Sequence, residues 1–457
     1  MQLQKKRVAI VGGGISGLSC AYALRNNPHL QITLFEQETR LGGHSNTVEF
    51  TPKMQDISFG VDTGFLVFNQ RTYPKLIQFF QELDVPIALS EMSFSVSIPQ
   101  TNKPNLEWAG HDLNSLFAQR KNLFNPHFLR MTIDILRFNA LAKKIAATPK
   151  EQQTAVIHNE SVQEFLTRHH LSNAFRDWYL LPMIGAIWSC SMKDMLSFPI
   201  HTLTQFCENH GLLQITNRPQ WLTVKGGSRE YLLRAQKALQ NAQVLIQHQA
   251  VKKVYRDAQA DGSIRIELDS GESVFTDEIV FACHSDQALG IIQNPTGLEQ
   301  KILGVIPYKK NKAYLHEDTQ LLPQLRSVWA AWNYSSNTNA TQGLENASAV
   351  CVHYLINKLQ PLPVKLDQVP VIVSLNPHIL PKESLTHQVI EYSHPLFNQD
   401  SIGAQQQLPA LQGQNHTWFC GAWTCYGFHE DGFKSGQLVA NRLSEKLYLL
   451  KNDEALA

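Results

Sequence analysis

The chain has 457 residues, a length that favours two domains over a single core. Hydrophobic residues make up 43% and charged residues 17%, a composition that excludes a disordered chain. Forty basic side chains face 39 acidic ones, so the chain has no long-range field for nucleic acid, and we expect no such partner. Seven cysteines without a Cys-x-x-Cys pair argue against a disulfide framework or a zinc site and favour the reducing cytoplasm.

The first predicted elements are a buried strand over residues 8–11, a glycine turn, a helix over 18–24 and a second strand over 31–35. Gly12 permits the turn, Gly14 lets a pyrophosphate approach the backbone, and Gly17 lets the helix pack closely on the sheet. The helix N-terminus attracts phosphate, and an acid about 20 residues further on can bind the ribose hydroxyls. The predicted nucleotide contacts are Gly12, Gly14, Ile15, Ser16, Gly17, Glu36 and Gln37.

The next segment, residues 40–47, has the sequence RLGGHSNT. It resembles the Arg-x-Gly-Gly-Arg-x-x-Ser/Thr motif of the FAD-dependent amine oxidase superfamily, which includes phytoene desaturases and protoporphyrinogen oxidases. In that family the glycine pair passes close to the pyrophosphate, so the resemblance implies FAD rather than NAD, with contacts at Arg40, Gly42 and Gly43. His44 departs from the motif, because the family carries a second arginine there. A histidine supplies the same charged contact only when it is protonated.

The resemblance continues in the middle of the chain. Residues 224–228 open a predicted helix, and the strand that follows contains Val251, whose family counterpart lies against the adenine through its backbone. Residues 264–268 and 272–275 alternate in polarity and predict a hairpin. Residues 278–283 predict another buried strand of the main sheet.

The end of the chain resembles the family's closing strand and Gly-x-x-x-Gly helix, here over residues 417–421 and 431–443. The resemblance implies that the helix N-terminus faces the N1–C2 edge of the flavin, where negative charge gathers on reduction. Asp431 also fits a helix cap. No cysteine stands just upstream of the last strand, where covalently flavinylated relatives carry theirs, so we expect non-covalent FAD. The flavin contacts implied by the resemblance are Gly64, Phe65, Gly421, Glu430, Asp431 and Gly432.

These matches predict an α/β fold, with a discontinuous Rossmann-type FAD-binding domain and a mixed α+β substrate domain. The predicted FAD-binding domain comprises residues 1–75, 216–294 and 406–457, and the substrate domain comprises 76–215 and 295–405. Further helices are expected over 72–83, 125–147 and 161–178, and apolar strands over 350–356 and 369–375.

Nearly the whole chain resembles a bacterial branch of predicted flavin-containing amine-oxidase-like proteins. Members of this branch are associated with modification of fatty acids, and one related group resembles methyl-fatty-acid desaturases. The resemblance therefore directs the substrate prediction towards acyl chains. The segments that carry it are GH at 43–44, VDTGFLVF at 61–68, EWAG at 107–110, WAAWNY at 329–334, NKLQ at 357–360 and GFHEDG at 427–432.

Two residues are candidates for catalysis. His429, in the loop before the last helix, is predicted to act as a base or to orient the substrate, with Tyr426 or Trp423 as an aromatic wall. The alternative is that His429 bonds a backbone carbonyl and shapes the loop. Many amine oxidases of the superfamily hold a water at flavin N5 with a lysine, and Lys312 lies in the corresponding region; a solvated strand end is the alternative. We expect no metal.

Residues 123–147 predict a helix with two apolar stripes and a basic polar surface. Such a helix can pack inside the substrate domain, or it can touch a membrane and admit a lipid. The apolar run at residues 8–11 is too short for a signal peptide, and the sequence offers no run of the roughly 18 apolar residues that cross a bilayer. We therefore expect a cytoplasmic protein, with peripheral membrane contact left open. The stripes are Leu129, Ile133, Leu136 and Ala140, and Met131, Ile135, Phe138, Ala142 and Ile145.

The sequence thus predicts an FAD-dependent oxidoreductase that dehydrogenates a small apolar substrate, of which a fatty acyl group is the class suggested by the resemblance. The predicted step is hydride transfer to flavin N5, and oxygen or a carrier takes the electrons. Three alternatives remain: a flavin amine oxidase, a redox-neutral FAD-containing fatty-acid isomerase or hydratase, and a flavin-binding subunit without catalysis.

Overall fold

The computed structural model describes residues 5–148, 160–188, 195–214, 218–256, 262–337 and 351–456. Within them the helices are α1 (Ile15–Leu24), α2 (Pro74–Glu82), α3 (Leu113–Leu116), α4 (Pro126–Ala147), α5 (Val162–Arg168), α6 (Asn173–Phe175), α7 (Leu181–Trp188), α8 (Ile200–Asn209), α9 (Arg229–Asn241), α10 (Ser285–Ile291), α11 (Gly297–Leu303), α12 (Ile356–Leu359), α13 (Gln399–Gln407) and α14 (His429–Leu456).

The strands of the described residues pair into five sheets. They are β1 (Lys6–Val11), β2 (Leu30–Phe35), β3 (Thr47–Phe50), β4 (Phe59–Asp62), β5 (Phe68–Asn69), β6 (Ile87–Ser90), β7 (Phe94–Gln100), β8 (Lys103–Ala109), β9 (Trp221–Val224), β10 (Leu245–Gln247), β11 (Val251–Tyr255), β12 (Ile264–Leu268), β13 (Ser273–Thr276), β14 (Glu278–Phe281), β15 (Tyr308–His316), β16 (Trp332–Ser335), β17 (Cys351–Leu355), β18 (Ile372–Leu375), β19 (Thr386–Pro395) and β20 (Thr417–Phe419).

A five-stranded parallel sheet in the order β10–β2–β1–β14–β20 is assembled from three distant stretches of the chain. All four residues of β14 are buried, as are the last four of β1, and apart from Glu278 these positions are apolar, as expected of strands covered on both faces. One face of the sheet packs on α1, α9 and α14, and the other packs on the antiparallel sheet β11–β12–β13. The predicted α/β class with a Rossmann-type sheet is confirmed.

A seven-stranded mixed sheet in the order β19–β15–β18–β17–β16–β7–β8 combines strands from before and after the middle part of the chain. Its pairs are antiparallel except β16 with β7. On its inner face, helices α4 to α8 cover the β7–β16–β17 half, and the core beside the parallel sheet covers the β18–β15 half. Two smaller sheets, β3–β4 and β5–β9–β6, complete the fold.

The predicted domain limits stay a prediction, and the limit at 215/216 falls outside the described residues. Position 350, at the start of one predicted strand, also falls outside them. None of the described helices is both long enough and apolar enough to cross a bilayer.

Several predicted helix limits are wrong, since α1 begins at Ile15 rather than at residue 18 and α2 begins at Pro74 rather than at residue 72. The helix expected over 161–178 is interrupted after Arg168, because His170 takes a left-handed conformation with φ of 50° and Ser172 caps a new helix. The last helix begins at His429, two residues before the predicted start. The Asp431 carboxylate accepts hydrogen bonds from the backbone N–H groups of Tyr426 and Phe428, and these bonds hold the preceding loop at the start of the helix.

Candidate active site

Two glycine loops meet at the carboxyl ends of β1 and β2. A Cβ atom on Gly12 would lie 2.9 Å from Ala282 O, and one on Gly17 would lie 1.9 Å from Gly12 O, so close packing requires glycine at both positions. By contrast, a Cβ atom on Gly14 would meet no described atom within 4 Å, and one on Gly43 would meet Gly14 Cα at 3.5 Å. The backbone at Gly14 and Gly43 therefore borders open space, where a ligand can approach closely.

The N-terminus of α1 opens onto the same space. Ile15 and Ser16 form its buried first turn, and among the described residues no side chain caps it. Free N–H groups at a helix N-terminus favour an anion. At the end of β2, the Glu36 carboxylate accepts hydrogen bonds from Gly13 N at 2.7 Å and Glu38 N at 3.0 Å, whereas Gln37 is exposed. Glu36 thus orders the first glycine loop.

The second glycine loop is fixed by backbone contacts. Gly42 N donates to Gly13 O at 2.9 Å, which joins the two loops. The Arg40 guanidinium donates to the carbonyls of Gly43 and Ser45, each at 3.1 Å. Arg40 therefore shapes the loop through its guanidinium N–H groups, and its contact with FAD stays a prediction. Val251 begins β11 and is half-buried beside the parallel sheet.

His44 lies inside the protein beside this loop. Burial, together with the neighbouring His284, lowers the pKa of His44 to about 4. Its Nε2 atom has no hydrogen-bond partner among the described residues. At neutral pH His44 is therefore uncharged before any anion binds, so it does not replace the family's arginine as a fixed positive charge.

His44 belongs to a cluster of buried and half-buried rings where the two large sheets meet. Its ring centroid lies 5.2 Å from Tyr392, 5.1 Å from His394 and 6.2 Å from His284, and His284 stacks on Tyr308 at 4.4 Å. Burial lowers the pKa of His284 to about 4 and that of His394 to about 3, so these imidazoles are also neutral. Among the described residues, no three His, Cys, Asp or Glu side chains are placed to hold a metal ion.

Only one local feature of the sequence points to this imidazole cluster. His284 follows the end of β14 closely, at the carboxyl edge where ligands of parallel sheets bind, although the sequence assigned no role to it. His394 and Tyr392 lie on β19, more than a hundred residues away in the chain, and nothing in their local pattern indicates a site.

His429 occupies the first turn of α14. Its Nε2 lies 2.7 Å from Ser45 Oγ and 3.4 Å from Tyr231 Oη, and its ring stacks on Phe65 at 3.9 Å between centroids. Burial lowers the pKa of His429 to about 3. This neutral side chain connects the second glycine loop, α9 and the turn after Gly64. These contacts fit the alternative that His429 shapes the loop, although its partners are hydroxyl groups rather than a backbone carbonyl.

Other predicted residues of the closing segment form hydrogen bonds or close contacts with the protein's own backbone and side chains. The Glu430 carboxylate accepts from Lys75 N and Leu76 N and so caps α2, a use that the sequence did not predict. Gly432 N donates to Phe428 O within α14, and a Cβ atom there would lie 2.8 Å from Ile15 Cγ2. Gly421 N is bound by Ser435 Oγ at 3.0 Å. These groups of Glu430, Gly432 and Gly421 stabilise the fold, and the predicted flavin contacts of the three residues stay a prediction.

Lys312 does not fit a lysine buried over a flavin. Its side chain is 59% exposed on the outer face of β15, with Glu391 Oε1 3.7 Å from Nζ. Asn311, one residue earlier, points to the inner face and is 1% exposed. Its amide donates to His394 Nδ1 at 2.8 Å, and its Oδ1 accepts from Asn376. Lys312 is therefore not placed for catalysis, whereas Asn311, its neighbour on β15, reaches the imidazole cluster.

An aromatic group lies beside the start of α14. Phe206 stacks on His210 at 4.1 Å and on Phe428 at 5.2 Å, and Tyr426 lies 6.3 Å from Phe206. Trp423 lies elsewhere: it is buried, and its Nε1 donates to Cys283 O. Of the two predicted wall residues, only Tyr426 belongs to this aromatic group.

A cavity of about 490 Å³ lies next to the imidazole cluster. Pro307 and Pro395 line it, and they adjoin the cluster residues Tyr308 and His394 in sequence. This volume is within the usual range for small-molecule sites. The larger part of the lining is apolar, from Ile184, Met195, Phe198, Leu396 and Phe397, and Asp400 is the acidic residue among its lining residues.

Residues 10–83 match a family described as an NAD(P)-binding Rossmann-like domain. Over 98 residues, 21% of this chain, the sequence is 34% identical to 15-cis-phytoene desaturase of Synechococcus elongatus. Over 115 residues, 25% of this chain, it is 29% identical to polyenoic fatty acid isomerase of Ptilota filicina. The matched stretches span 19% and 23% of these two relatives.

Solved structures match over almost the whole chain. A protein assigned as a protoporphyrinogen oxidase from Exiguobacterium sp. 255-15 has a TM-score of 0.64 at 16% identity, covering 97% of this chain and 100% of its own. A fatty acid isomerase of P. acnes that produces CLA scores 0.65 at 12% identity, over 96% and 98% of the two chains. Cyclohexylamine oxidase of Brevibacterium oxydans scores 0.64 at 15% identity, over 97% and 100%. Likenesses at such identities establish the fold.

Proposed function

We propose, from the premise that this chain has the fold of the FAD-dependent amine oxidase and desaturase superfamily, that it binds FAD without a covalent link and dehydrogenates a small apolar, fatty-acyl-type substrate. The observation that carries the proposal is the position of the apolar cavity, next to the imidazole cluster at the open glycine loops.

The residues present fit a dinucleotide. Gly14 and Gly43 border open space where a side chain would otherwise stand, and the uncapped first turn of α1 offers N–H groups to a pyrophosphate. The buried His44 Nε2 has no partner among the described residues and can bond the ligand.

The chemistry of the nearby cysteines supports non-covalent binding. Cys420 is buried directly after β20, and burial raises its pKa well above the ordinary value. Burial likewise raises the pKa of Cys425 to about 12. A thiol kept protonated is a poor nucleophile, so neither side chain favours a bond to a flavin.

When bound, FAD supplies a hydride acceptor at N5. The chain supplies a largely apolar cavity for the substrate, with neutral imidazoles near it. Asn311 donates to His394 Nδ1, which leaves the opposite ring nitrogen, Nε2, to carry or exchange a proton. His429 fixes the second glycine loop through Ser45 and so holds the binding site in shape.

The direct test is anaerobic bleaching of the bound flavin by a panel of acyl lipids and amines. We expect acyl substrates to bleach it and amines to leave it oxidised. Bleaching by amines alone would contradict the acyl proposal and support an amine oxidase, and a preparation without flavin after gentle purification would contradict FAD binding itself.

A redox-neutral isomerisation of an acyl chain is a second candidate. It is favoured by the likeness to two fatty acid isomerases, one in sequence over part of the chain and one in fold. An altered double-bond position in the product, formed without oxygen consumption or lasting bleaching of the flavin, would distinguish isomerisation from dehydrogenation.

A further inference from the structure

Helix α4 has two apolar faces, and only one of them packs against the protein. The inner face is buried in the core of the helical layer by Phe128, Met131, Phe138 and Ala142. The outer face carries Leu129, Ile133 and Leu136, which are 37%, 52% and 55% exposed. Their spacing of four and three residues places them in one row along the helix.

The segment before α4 adds two exposed apolar side chains. Phe124 is 87% exposed and Leu123 is 43% exposed, immediately ahead of the helix. Single exposed leucines are ordinary, but a contiguous apolar strip marks an interaction surface. We call Leu123, Phe124, Leu129, Ile133 and Leu136 the outer strip.

Along the chain, most charged side chains from residue 113 to the end of α4 are positive. Residues 113–148 contain six Lys or Arg side chains and one acid, Asp134. That acid is fully buried and paired with Arg130 and Arg137, so it presents no negative charge to a partner. Lys143 and Lys144 are exposed at the C-terminal end of α4, and Arg120 and Lys121 are exposed before its N-terminal end.

We propose that the outer strip docks α4 in the headgroup region of an anionic lipid bilayer, with the helix axis parallel to the membrane plane. The 22 residues of α4 extend over about 33 Å, a length suited to an in-plane helix. Apolar side chains along one row with basic side chains beside them match the two components of an anionic bilayer, its acyl chains and its negative headgroups.

The inner face of α4 belongs to the same apolar cluster as Ile184 and Met195, which line the cavity. Docking would therefore bring the helical layer that covers the cavity next to a lipid surface. The docking proposal does not depend on the proposed function, because it rests on the outer strip alone.

The test measures binding of the full-length flavin-loaded protein to phosphatidylcholine vesicles with and without phosphatidylglycerol, by flotation at low and high salt. We expect binding to the vesicles that contain phosphatidylglycerol, and weaker binding in high salt, because salt screens the basic side chains. The variant L129S/I133S/L136S should bind those vesicles at least about tenfold more weakly, since three apolar side chains no longer enter lipid.

The matched control is L233S/L298S/L438S, which removes three exposed leucines from α9, α11 and α14 and should bind as the wild type does. Both variants should keep the wild-type circular dichroism and flavin content. Failure of the wild type to bind vesicles with phosphatidylglycerol overturns the proposal, and so does unchanged binding by L129S/I133S/L136S. A wild-type dimer that this variant converts to a monomer, without vesicle binding, would assign the outer strip to self-association instead.

Discussion

At the scale of single residues, the glycines of the first loop have different structural roles. Gly12 and Gly17 are required by the fold, since added side chains would strike backbone atoms. Gly14 has an ordinary φ of −71° and open space where its Cβ would stand. A methyl group there should leave the ligand-free protein unchanged but occupy the space into which a pyrophosphate fits.

Gly14→Ala should therefore fold as the wild type does and lose FAD. We expect deflavinated Gly14→Ala to have the same melting temperature as the deflavinated wild type. Its FAD dissociation constant should rise at least about tenfold, which corresponds to a loss of about 1.4 kcal/mol of binding free energy. Gly290→Ala, in α10 with no described atom near its Cβ, is the matched control and should keep wild-type FAD affinity. Fluorescence titration with FAD measures both, and unchanged affinity in Gly14→Ala would remove the open loop as the binding site.

At the scale of elements, α14 and α1 approach each other through glycine. A Cβ atom on Gly436 would lie 2.2 Å from Ser16 O and 3.0 Å from Cys20 N. Ser19 Oγ also donates to Phe433 O at 2.6 Å across the same contact. The first turn of α1 thus depends on α14 for its position, although more than four hundred residues separate the two helices.

Gly436→Ala should push the two helices apart. We expect a loss of about 1–3 kcal/mol in the free energy of unfolding, as for overpacked cores. FAD retention should also fall, because Ser16 moves with the helix terminus. Urea unfolding measures the first and flavin absorbance the second. Gly403→Ala in α13, where a Cβ meets nothing within 4 Å, should be neutral or slightly stabilising, and an equal loss there would refute the packing argument.

At the scale of the whole molecule, buried neutral histidines make the fold sensitive to acid. Among the described residues, burial lowers the pKa of seven histidines from the ordinary 6.5 to about 3 or 4: His44, His210, His284, His316, His353, His394 and His429. The unfolded chain binds their protons near pH 6.5 and the folded chain does not, so stability is full above that pH and falls as the pH drops towards 4. Burial raises the pKa of Asp62 and Asp431 to about 6, so these two carboxyl groups act in the opposite direction and offset a part of this loss of stability.

We therefore expect the free energy of unfolding to fall on acidification below pH 6.5, by on the order of 1 kcal/mol per pH unit for each histidine. Urea unfolding of the flavin-loaded protein across this range measures the slope. His429→Gln should make this slope shallower, by an amount that corresponds to the uptake of up to one proton fewer on unfolding. His127→Gln, at an exposed position, should leave the slope unchanged. A stability that stays flat down to about pH 5 would contradict the burial of neutral imidazoles.

The elements that could be predicted from the sequence are those that depend on local geometry. The strand, glycine turn and helix of the first unit, the hairpin of β12 and β13, and the closing strand and helix all follow from patterns within about 25 residues, a span that turn chemistry and side-chain periodicity control. The same patterns located the two glycine loops and the two apolar stripes of α4.

The side chains that meet at those loops could be identified only from the tertiary structure. His284, His394 and Asn311 come from three separate strands or strand ends, and no local pattern joins them. On β15 the period of two separates Lys312 on the outer face from Asn311 on the inner one, and the sequence alone does not specify which face is buried. For α4, likewise, packing of the helical layer buried one apolar stripe and left the other exposed, because burial depends on neighbouring elements rather than on the helix itself.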